Sequence, residues 1–333
     1  MANIAVLGDG GWGTAIAILL ARQSRHSVRL WSAREASGNA LRERRENIRF
    51  LPGVPIPENV LLTTDCDEAF RNADLSVCAI PTVYLRSTLI RFQGISFNGP
   101  IVSLTKGLEI GTFRRPSEII GETLGRSKGV AVLSGPSHAE EVVVGMPTSV
   151  VVAADDGSLA DDIQRVFATD RFRIYTNNDV LGVELAGALK NVIGIAAGIG
   201  DGLGFGDNAK SALLTRGLVE MARFGVALGA EHATFQGLAG MGDLITTCIS
   251  RHGRNRRVGE RLGKGERIAD ILADMAMVAE GVTTARSVYE RTQRMGLDMP
   301  IMTIVYRVIY EGLSPLDAVN MLMTREPRRE HVG

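Results

Sequence analysis

Cysteine is scarce in this chain. Among 333 residues there are three, Cys66, Cys78 and Cys248. Their number is odd, they lie far apart, and no CxxC or Cys/His ligand spacing occurs, which argues against a disulfide framework, a zinc site or any other metal. A reducing cytoplasm fits that usage. An excess of charge is missing too: 37 basic and 37 acidic residues leave a formal net charge of zero. That balance gives no broad surface for nucleic acid or an anionic membrane, although a local basic cluster could serve a small anionic ligand. Long apolar runs are absent. Met1–Gly8 has no basic leader and too short an apolar run for a signal peptide. The most apolar later stretch, Val192–Gly200, is bracketed by Lys190 and Asp201, well short of a membrane span. No internal repeat or low-complexity tract interrupts the chain. What remains is 45% hydrophobic and 22% charged, the profile of a soluble globular protein, and its length points to two domains.

The first half alternates short apolar runs with helical patterns. Candidate strands are Ile4–Gly8, Ser27–Ser32, Asn59–Thr63, Leu75–Ile80, Ile101–Thr105, Ala131–Ser134, Thr148–Ala153 and Phe172–Thr176. Several are rich in Val and Ile without clean alternation, as strands buried on both faces are. Helical patterns such as Thr14–Gln23 and Pro116–Leu124 lie between them, so a doubly wound α/β unit is expected. After Asn177-Asn178-Asp179 nearly everything reads as helix: Asp179–Ile199, Lys210–Leu228, Asn255–Lys264, Ile268–Met275, Thr283–Arg294 and Pro300–Tyr310. Asp179 is the expected N-cap of the first, Asp207 or Asn208 of the second, and Ser314-Pro315 a cap and N1 proline for the last helix. The expected division is 1–178 for an α/β domain and 179–333 for an all-α domain, with a charged, frayed end at 325–333.

Gly8-Asp9-Gly10-Gly11-Trp12-Gly13 is a GxGxxG between a predicted strand and a predicted helix. Gly8 allows the tight turn, Gly10 the approach of a pyrophosphate, and Gly13 the close packing of helix on strand, while the helix N-terminus offers free N–H groups to phosphate. This context makes the unit a Rossmann-type dinucleotide fold. The second strand ends at Leu30-Trp31-Ser32-Ala33-Arg34, where an NAD site often has an acidic residue. Ser32 and Arg34 suit a 2′-phosphate, so NADP is slightly favoured over NAD, although Arg34 also reads as a solvated loop charge.

In Glu184–Gly198, Gly187, Asn191, Gly194 and Gly198 fall on one helical face. Each glycine costs about 1 kcal/mol against alanine, so the stripe makes sense where another backbone or a ligand comes close. Lys190 lies beside it in an apolar helix. Desolvation there would move its pKa from ~10.4 toward roughly 7–8, the range of a general base. From spacing alone the plainer reading is a lysine snorkelling at the edge of a core helix. Asp243 reads as a structural cap or as the partner of a nearby lysine. Arg251-His252-Gly253-Arg254-Asn255-Arg256-Arg257 holds four arginines in seven residues. It is either a solvated basic turn or a phosphate site at a loop-to-helix junction.

Together, GDGGWGTA (Gly8–Ala15), SLTKGLE (Ser103–Glu109), SGPSHAE (Ser134–Glu140), ELAGALKN (Glu184–Asn191), DGLGFGDNAK (Asp201–Lys210), GDLITTC (Gly242–Cys248) and GRNR (Gly253–Arg256) resemble, in order and over nearly the whole chain, the motif series of NAD(P)-dependent glycerol-3-phosphate dehydrogenases. The resemblance implies Lys190 as proton acceptor with Asp243 beside it and Thr247 close by. It implies Lys106 in contact with both cofactor and substrate, Gly135 and Ser137 on the substrate side, and Arg254 and Asn255 on the substrate phosphate. On the nucleotide it implies Gly8, Gly10, Gly11, Trp12, Gly13, Ala139, Arg254, Val278 and Glu280. Gly253 stands where many relatives carry serine, and Gly11 where Ser or Ala is frequent. A 6-phosphogluconate dehydrogenase-like helical domain and a homodimer are also implied. Two rivals remain open at this point: a β-hydroxyacid or ketopantoate-type reductase, whose substrate carries a carboxylate, and a non-catalytic dinucleotide-binding protein.

Overall fold

The computed structural model describes residues 2–23, 25–125, 129–327 and 329–330. The frayed end expected at 325–333 falls in part on 328 and 331–333, outside the described residues. Eight strands form the main sheet: β1 (Ala2–Leu7), β2 (His26–Trp31), β3 (Val60–Thr63), β4 (Leu75–Cys78), β5 (Ile101–Ser103), β6 (Val130–Ser134), β7 (Thr148–Ala153) and β8 (Phe172–Asn177). Their spatial order is β8-β7-β6-β5-β4-β1-β2-β3. β1 to β6 run parallel. β7 pairs antiparallel with β6, and β8 runs parallel to β7. The β6–β7 connection carries only the short helix Ala139–Val143, so the sheet is wound in parallel through six strands and then reverses. Ile4, Ala5, Val6 and Leu7 are fully buried because helices cover both faces of β1.

The chain leaves β1 toward β2 and leaves β4 toward β5, so the strand order reverses between β1 and β4. A crevice opens beyond their carboxyl ends, the position where such sheets hold ligands. One feature escapes the sequence pattern: a two-stranded ribbon, Glu46–Asn47 with Leu51–Pro55. Pro52, Gly53 and Pro55 hide its strand character.

Past β8 the chain is helical. The first helix of the sheet half is α1 (Gly11–Ala21), and the helical half opens with α2 (Val180–Gly202), capped by Asp179, which accepts from Gly182 N at 2.8 Å. Around α2 pack α3 (Asp207–Ala227), α4 (Asp243–Ile249), α5 (Arg254–Gly263) and α6 (Glu280–Met295). α3 begins one residue earlier than its expected caps, with Gly206 as N-cap and Asp207 in the first turn. α6 begins at Glu280 rather than Thr283, since its N-cap, Ala279, carries no capping side chain. Ser314 caps Pro315–Met323 as expected. By length and composition α2 is apolar enough to cross a membrane, but 83% of its apolar window is buried inside the fold. It is the axle of the helical half.

Glu220 on α3 shows how these helices are tied. Its carboxylate accepts from Ile301 N at 2.8 Å and Met302 N at 3.2 Å, capping the helix Pro300–Tyr310 from a distant element. Burial pushes this carboxyl from 4.5 up to about 7, against the pull of the two N–H groups. The native state therefore holds a proton that the unfolded chain has lost between those values, and the residue's contribution to stability falls as pH rises through that window. Glu220→Gln is expected to flatten that part of a Tm-against-pH curve; an unchanged slope would contradict the assignment.

Candidate active site

The glycine turn sits at the β1–β4 crevice. Gly8 has φ +109°, and a Cβ on it would lie 3.0 Å from the carbonyl oxygen of Ala79. A Cβ on Gly13 would lie 2.0 Å from the Gly8 oxygen. Only glycine fits at either position. A Cβ on Gly10 would meet no described atom within 4 Å, so the turn is open on that side. No described side chain caps α1, which leaves the N–H groups of its first turn, at Gly11, half-buried Trp12 and Gly13, free for an anion. This cradle fits the pyrophosphate of a dinucleotide. The unforeseen ribbon braces it: Asn47 Nδ2 donates to Asp9 O at 2.8 Å and to Thr14 Oγ1 at 2.7 Å. It also explains Gly11, since a Cβ there would stand 2.8 Å from Phe50 O. At the outer end of β2, Arg34 is exposed, whereas Ser32 is buried in the sheet with its N–H on Thr63 O. Of that pair only Arg34 is free to meet a ligand.

Two further elements close the crevice. Glu280, first residue of α6, accepts from Thr82 N at 2.8 Å. Burial raises its carboxyl to about 7, opposed by the Thr82 N–H and Arg254. Gly107, at φ +155°, leaves room for this contact, for its Cβ would lie 2.5 Å from Thr82 Oγ1 and 2.8 Å from Glu280 Oε2. Ala139 begins the short helix after β6 and is half-buried, next to α1.

Deeper in, α2 and α4 bring the charged groups together. Lys190 is 8% exposed and Asp243 2%. Lys190 Nζ lies 2.9 Å from Asp243 Oδ1 and donates to Thr247 Oγ1 at 2.5 Å. Lys106, on the loop after β5, reaches Asp243 Oδ2 at 2.5 Å and Gly135 O at 3.1 Å. Ser137 Oγ donates to the same carbonyl at 2.9 Å. Lys190 is therefore an internal residue, not a snorkelling one, and Asp243 is shared by two ammonium groups. Burial pulls Lys190 down to about 8, with Asp243 opposing and Lys106 assisting. Burial alone would raise the Asp243 carboxyl, but Lys106 and Lys190 hold it below its ordinary value. Cys248, just beyond Thr247, is pushed up to about 12 by burial and stays a thiol. Among the described residues no group of three His, Cys, Asp or Glu could hold a metal ion.

The arginine-rich segment divides. Arg256 pairs with Asp201 at 2.6 Å, which also holds Lys210 at 2.6 Å. Arg251 and Arg257 are exposed. Arg254 turns toward α6, donating to Val278 O at 3.0 Å. Asn255 Nδ2 donates to Asn191 Oδ1 at 2.8 Å, and its Oδ1 accepts from Gly281 N at 2.9 Å. α5 thus begins beside Lys190's neighbour, and its N-terminus has no described side-chain cap. Gly253 is forced by the turn: a Cβ would stand 2.8 Å from Thr247 O. A serine there needs a different turn.

The glycine stripe on α2 is what brings α5 so close. A Cβ on Gly198 would lie 1.9 Å from Arg256 O, and one on Gly259 1.9 Å from Ile195 O. Gly194 faces Thr247 and Asn255, and Gly187 faces Ser134 and the stem of Lys106. At the other end of α2, Glu184 is buried and accepts from Ser117 N at 2.8 Å, Ser117 Oγ at 2.7 Å and Arg115 Nη1 at 2.7 Å. Burial raises its carboxyl while Arg115 and Ser117 oppose. Sequence reading missed Asn47, Asn191 and Glu184 as parts of the site's frame. Asn191 and Glu184 stood inside a marked motif, but their partners are remote in sequence.

An open glycine cradle at the switch point of the sheet, together with a buried, depressed lysine on α2 paired with Asp243, defines a nicotinamide-dinucleotide-dependent oxidoreductase. The N-terminal signature of NAD-dependent glycerol-3-phosphate dehydrogenase matches residues 3–160, and the C-terminal signature matches 179–320. The chain belongs to that family. It is 48% identical over 331 residues to the NAD(P)+ glycerol-3-phosphate dehydrogenase of Chlorobium limicola, covering 98% of this chain and 99% of that one. It is also 48% identical over 334 residues to the enzyme of that name from Geobacillus thermodenitrificans, covering 99% and 97%. The crystal structure of glycerol-3-phosphate dehydrogenase from Coxiella burnetii superposes with a TM-score of 0.93 at 36% identity, over 97% of this chain and 99% of that one.

Proposed function

We propose that this chain catalyses the reversible reduction of dihydroxyacetone phosphate to sn-glycerol 3-phosphate with NADH or NADPH, supplying glycerophospholipid synthesis. The observation that carries the reading is the buried Lys190–Asp243–Lys106 cluster lying one hydrogen-bonded neighbour away from the uncapped start of α5. When bound, the nicotinamide supplies the hydride to the carbonyl carbon or removes it from the carbinol carbon. Lys190, as ammonium, donates its proton to the carbonyl oxygen and stabilises the charge developing there; as neutral amine it takes the hydroxyl proton in the reverse direction. Asp243 orients Nζ, and Lys106 adds positive charge on the cofactor side. Thr247 accepts one Lys190 N–H, which fixes where the remaining donors point.

Arg254 and the free backbone N–H groups of Arg254 and Asn255 hold the phosphate, assisted by the Asn255 side-chain N–H that Asn191 does not use. Gly135 and Ser137 line the substrate side opposite. Gly8, Gly10, Gly11, Trp12 and Gly13 cradle the pyrophosphate, while Ala139, Val278, Glu280, Lys106 and Arg254 wall the rest of the nucleotide site. Arg34 at the ribose end slightly favours NADP over NAD. We further propose that 1–178 acts as the nucleotide domain and 179–333 as the substrate domain of a cytoplasmic homodimer.

The test is NADH or NADPH oxidation on adding dihydroxyacetone phosphate, repeated with Arg254→Ala. Losing charge-assisted bonds worth about 2–4 kcal/mol is expected to raise KM about 30- to 1,000-fold with kcat changed only a few-fold. An unchanged KM would remove Arg254 from the phosphate site.

A further inference from the structure

The phosphate and the reacting oxygen have partners in the reading above; the hydroxymethyl end of the triose has none. His138 lies between the groups assigned to the reacting oxygen and the turn assigned to the phosphate. It is the N-cap residue of the helix Ala139–Val143. Three residues earlier Gly135 O accepts from Lys106 Nζ. Between them Pro136 packs against Gly242, whose Cβ would lie 3.6 Å from the proline Cδ, immediately before Asp243. On its other side the imidazole lies 5.7 Å from the ring of His252, tilted by 51°. His252 is two residues before Arg254, on the turn that opens α5. The ring thus spans from the ammonium–carboxylate centre to the guanidinium turn. Lys190 and Asp243 face it from α2 and α4, and Glu140 and Glu141 from its own helix. Its Nε2 is buried with no hydrogen-bond partner among the described residues. Buried side-chain nitrogens are seldom left so, and one beside the reacting groups invites a ligand hydroxyl.

We propose that His138 is a further substrate-contacting residue, whose Nε2 hydrogen-bonds the hydroxymethyl group of the triose phosphate while His252 backs the ring. The inference rests on the proposed reaction. A hydroxyl donates or accepts, so it suits either ring tautomer. The nitrogen is covered by protein atoms, so contact entails a turn of the ring about its side-chain bonds, an ordinary rotamer change.

The experiment compares dihydroxyacetone phosphate with hydroxyacetone phosphate, which keeps the ketone and the phosphate and lacks that hydroxyl. The wild-type chain is expected to prefer dihydroxyacetone phosphate by about 10- to 100-fold in kcat/KM, the size expected for the loss of one buried hydrogen bond. His138→Phe is expected to erase most of that preference by lowering kcat/KM for dihydroxyacetone phosphate alone. His138→Gln, which restores a polar group at similar reach, is expected to recover part of it, and it serves as the test variant if the phenylalanine variant does not fold. Equal losses on both substrates, or no loss on either, would overturn the proposal. Wild-type turnover of dihydroxyacetone phosphate is read in the same assay. Its absence would sink the underlying reaction, whereas normal turnover with unchanged discrimination in the variants would sink only the role of His138.

Discussion

Replacing Lys190 by alanine is expected to lower kcat about 10³- to 10⁵-fold in both directions, combining the loss of a positioned proton donor with the loss of charge stabilisation at the reacting oxygen. The affinity for dinucleotide should change little, because Lys190 lies on α2, away from the glycine turn. The fold should persist, because Asp243 keeps Lys106 at 2.5 Å and is not left as an unpaired buried charge. The wild-type profile follows from the same group. Reduction needs the ammonium form, so its rate should fall as pH rises through about 8; oxidation needs the free amine and should rise through the same point. Steady-state kinetics in both directions, with binding of the dinucleotide measured separately, check this. Turnover within tenfold of wild type would withdraw the assignment.

The second large effect concerns a residue far from chemistry in type. Gly198→Ala places a methyl group 1.9 Å from Arg256 O, in a seam where Gly259 makes the reciprocal approach to Ile195 O. Backbone cannot yield as a flexible side chain can, so α5 must move away from α2. That helix carries Gly253, Arg254 and Asn255 at its start. A displacement on the order of 1 Å between phosphate anchor and proton donor can cost about 100-fold. The expected result is a fall of that size in kcat/KM for dihydroxyacetone phosphate, together with a lower Tm from overpacking worth about 1–3 kcal/mol. Kinetics near wild type would show that the glycine seam does not set the site's geometry.

These two residues mark how far the sequence could be read. The glycine turn was legible because each of its glycines answers a local steric demand between a strand and a helix. Sequence likewise revealed the glycine stripe on α2, though not its partner. The downward shift of Lys190 was legible from its apolar helix, but the partners that set it were not, because they are assembled across the fold: Lys106 and Asp243 meet although 137 positions apart, and Thr247 comes from 57 positions away. The basic cluster misled in the opposite sense, since Arg256 is spent on Asp201 and, of its four arginines, Arg254 is the one that turns to Val278 O. Ser32 looked available to a phosphate but is enclosed in the sheet. The ribbon that holds the glycine turn through Asn47 was masked by its prolines, and its role depends on a loop 38 residues away.

A titration of Lys190 itself is the most direct measurement. Lysine side chains labelled with carbon-13 at Cε can be followed by NMR against pH, with Lys190 assigned by the signal lost in Lys190→Arg. A midpoint near 8 is expected for the buried amine beside Asp243 and Lys106. A midpoint near the ordinary lysine value of about 10.4 would mean that almost no neutral amine is available at working pH, which would contradict Lys190 as proton acceptor in the oxidation direction and the crossing of the two pH profiles near 8.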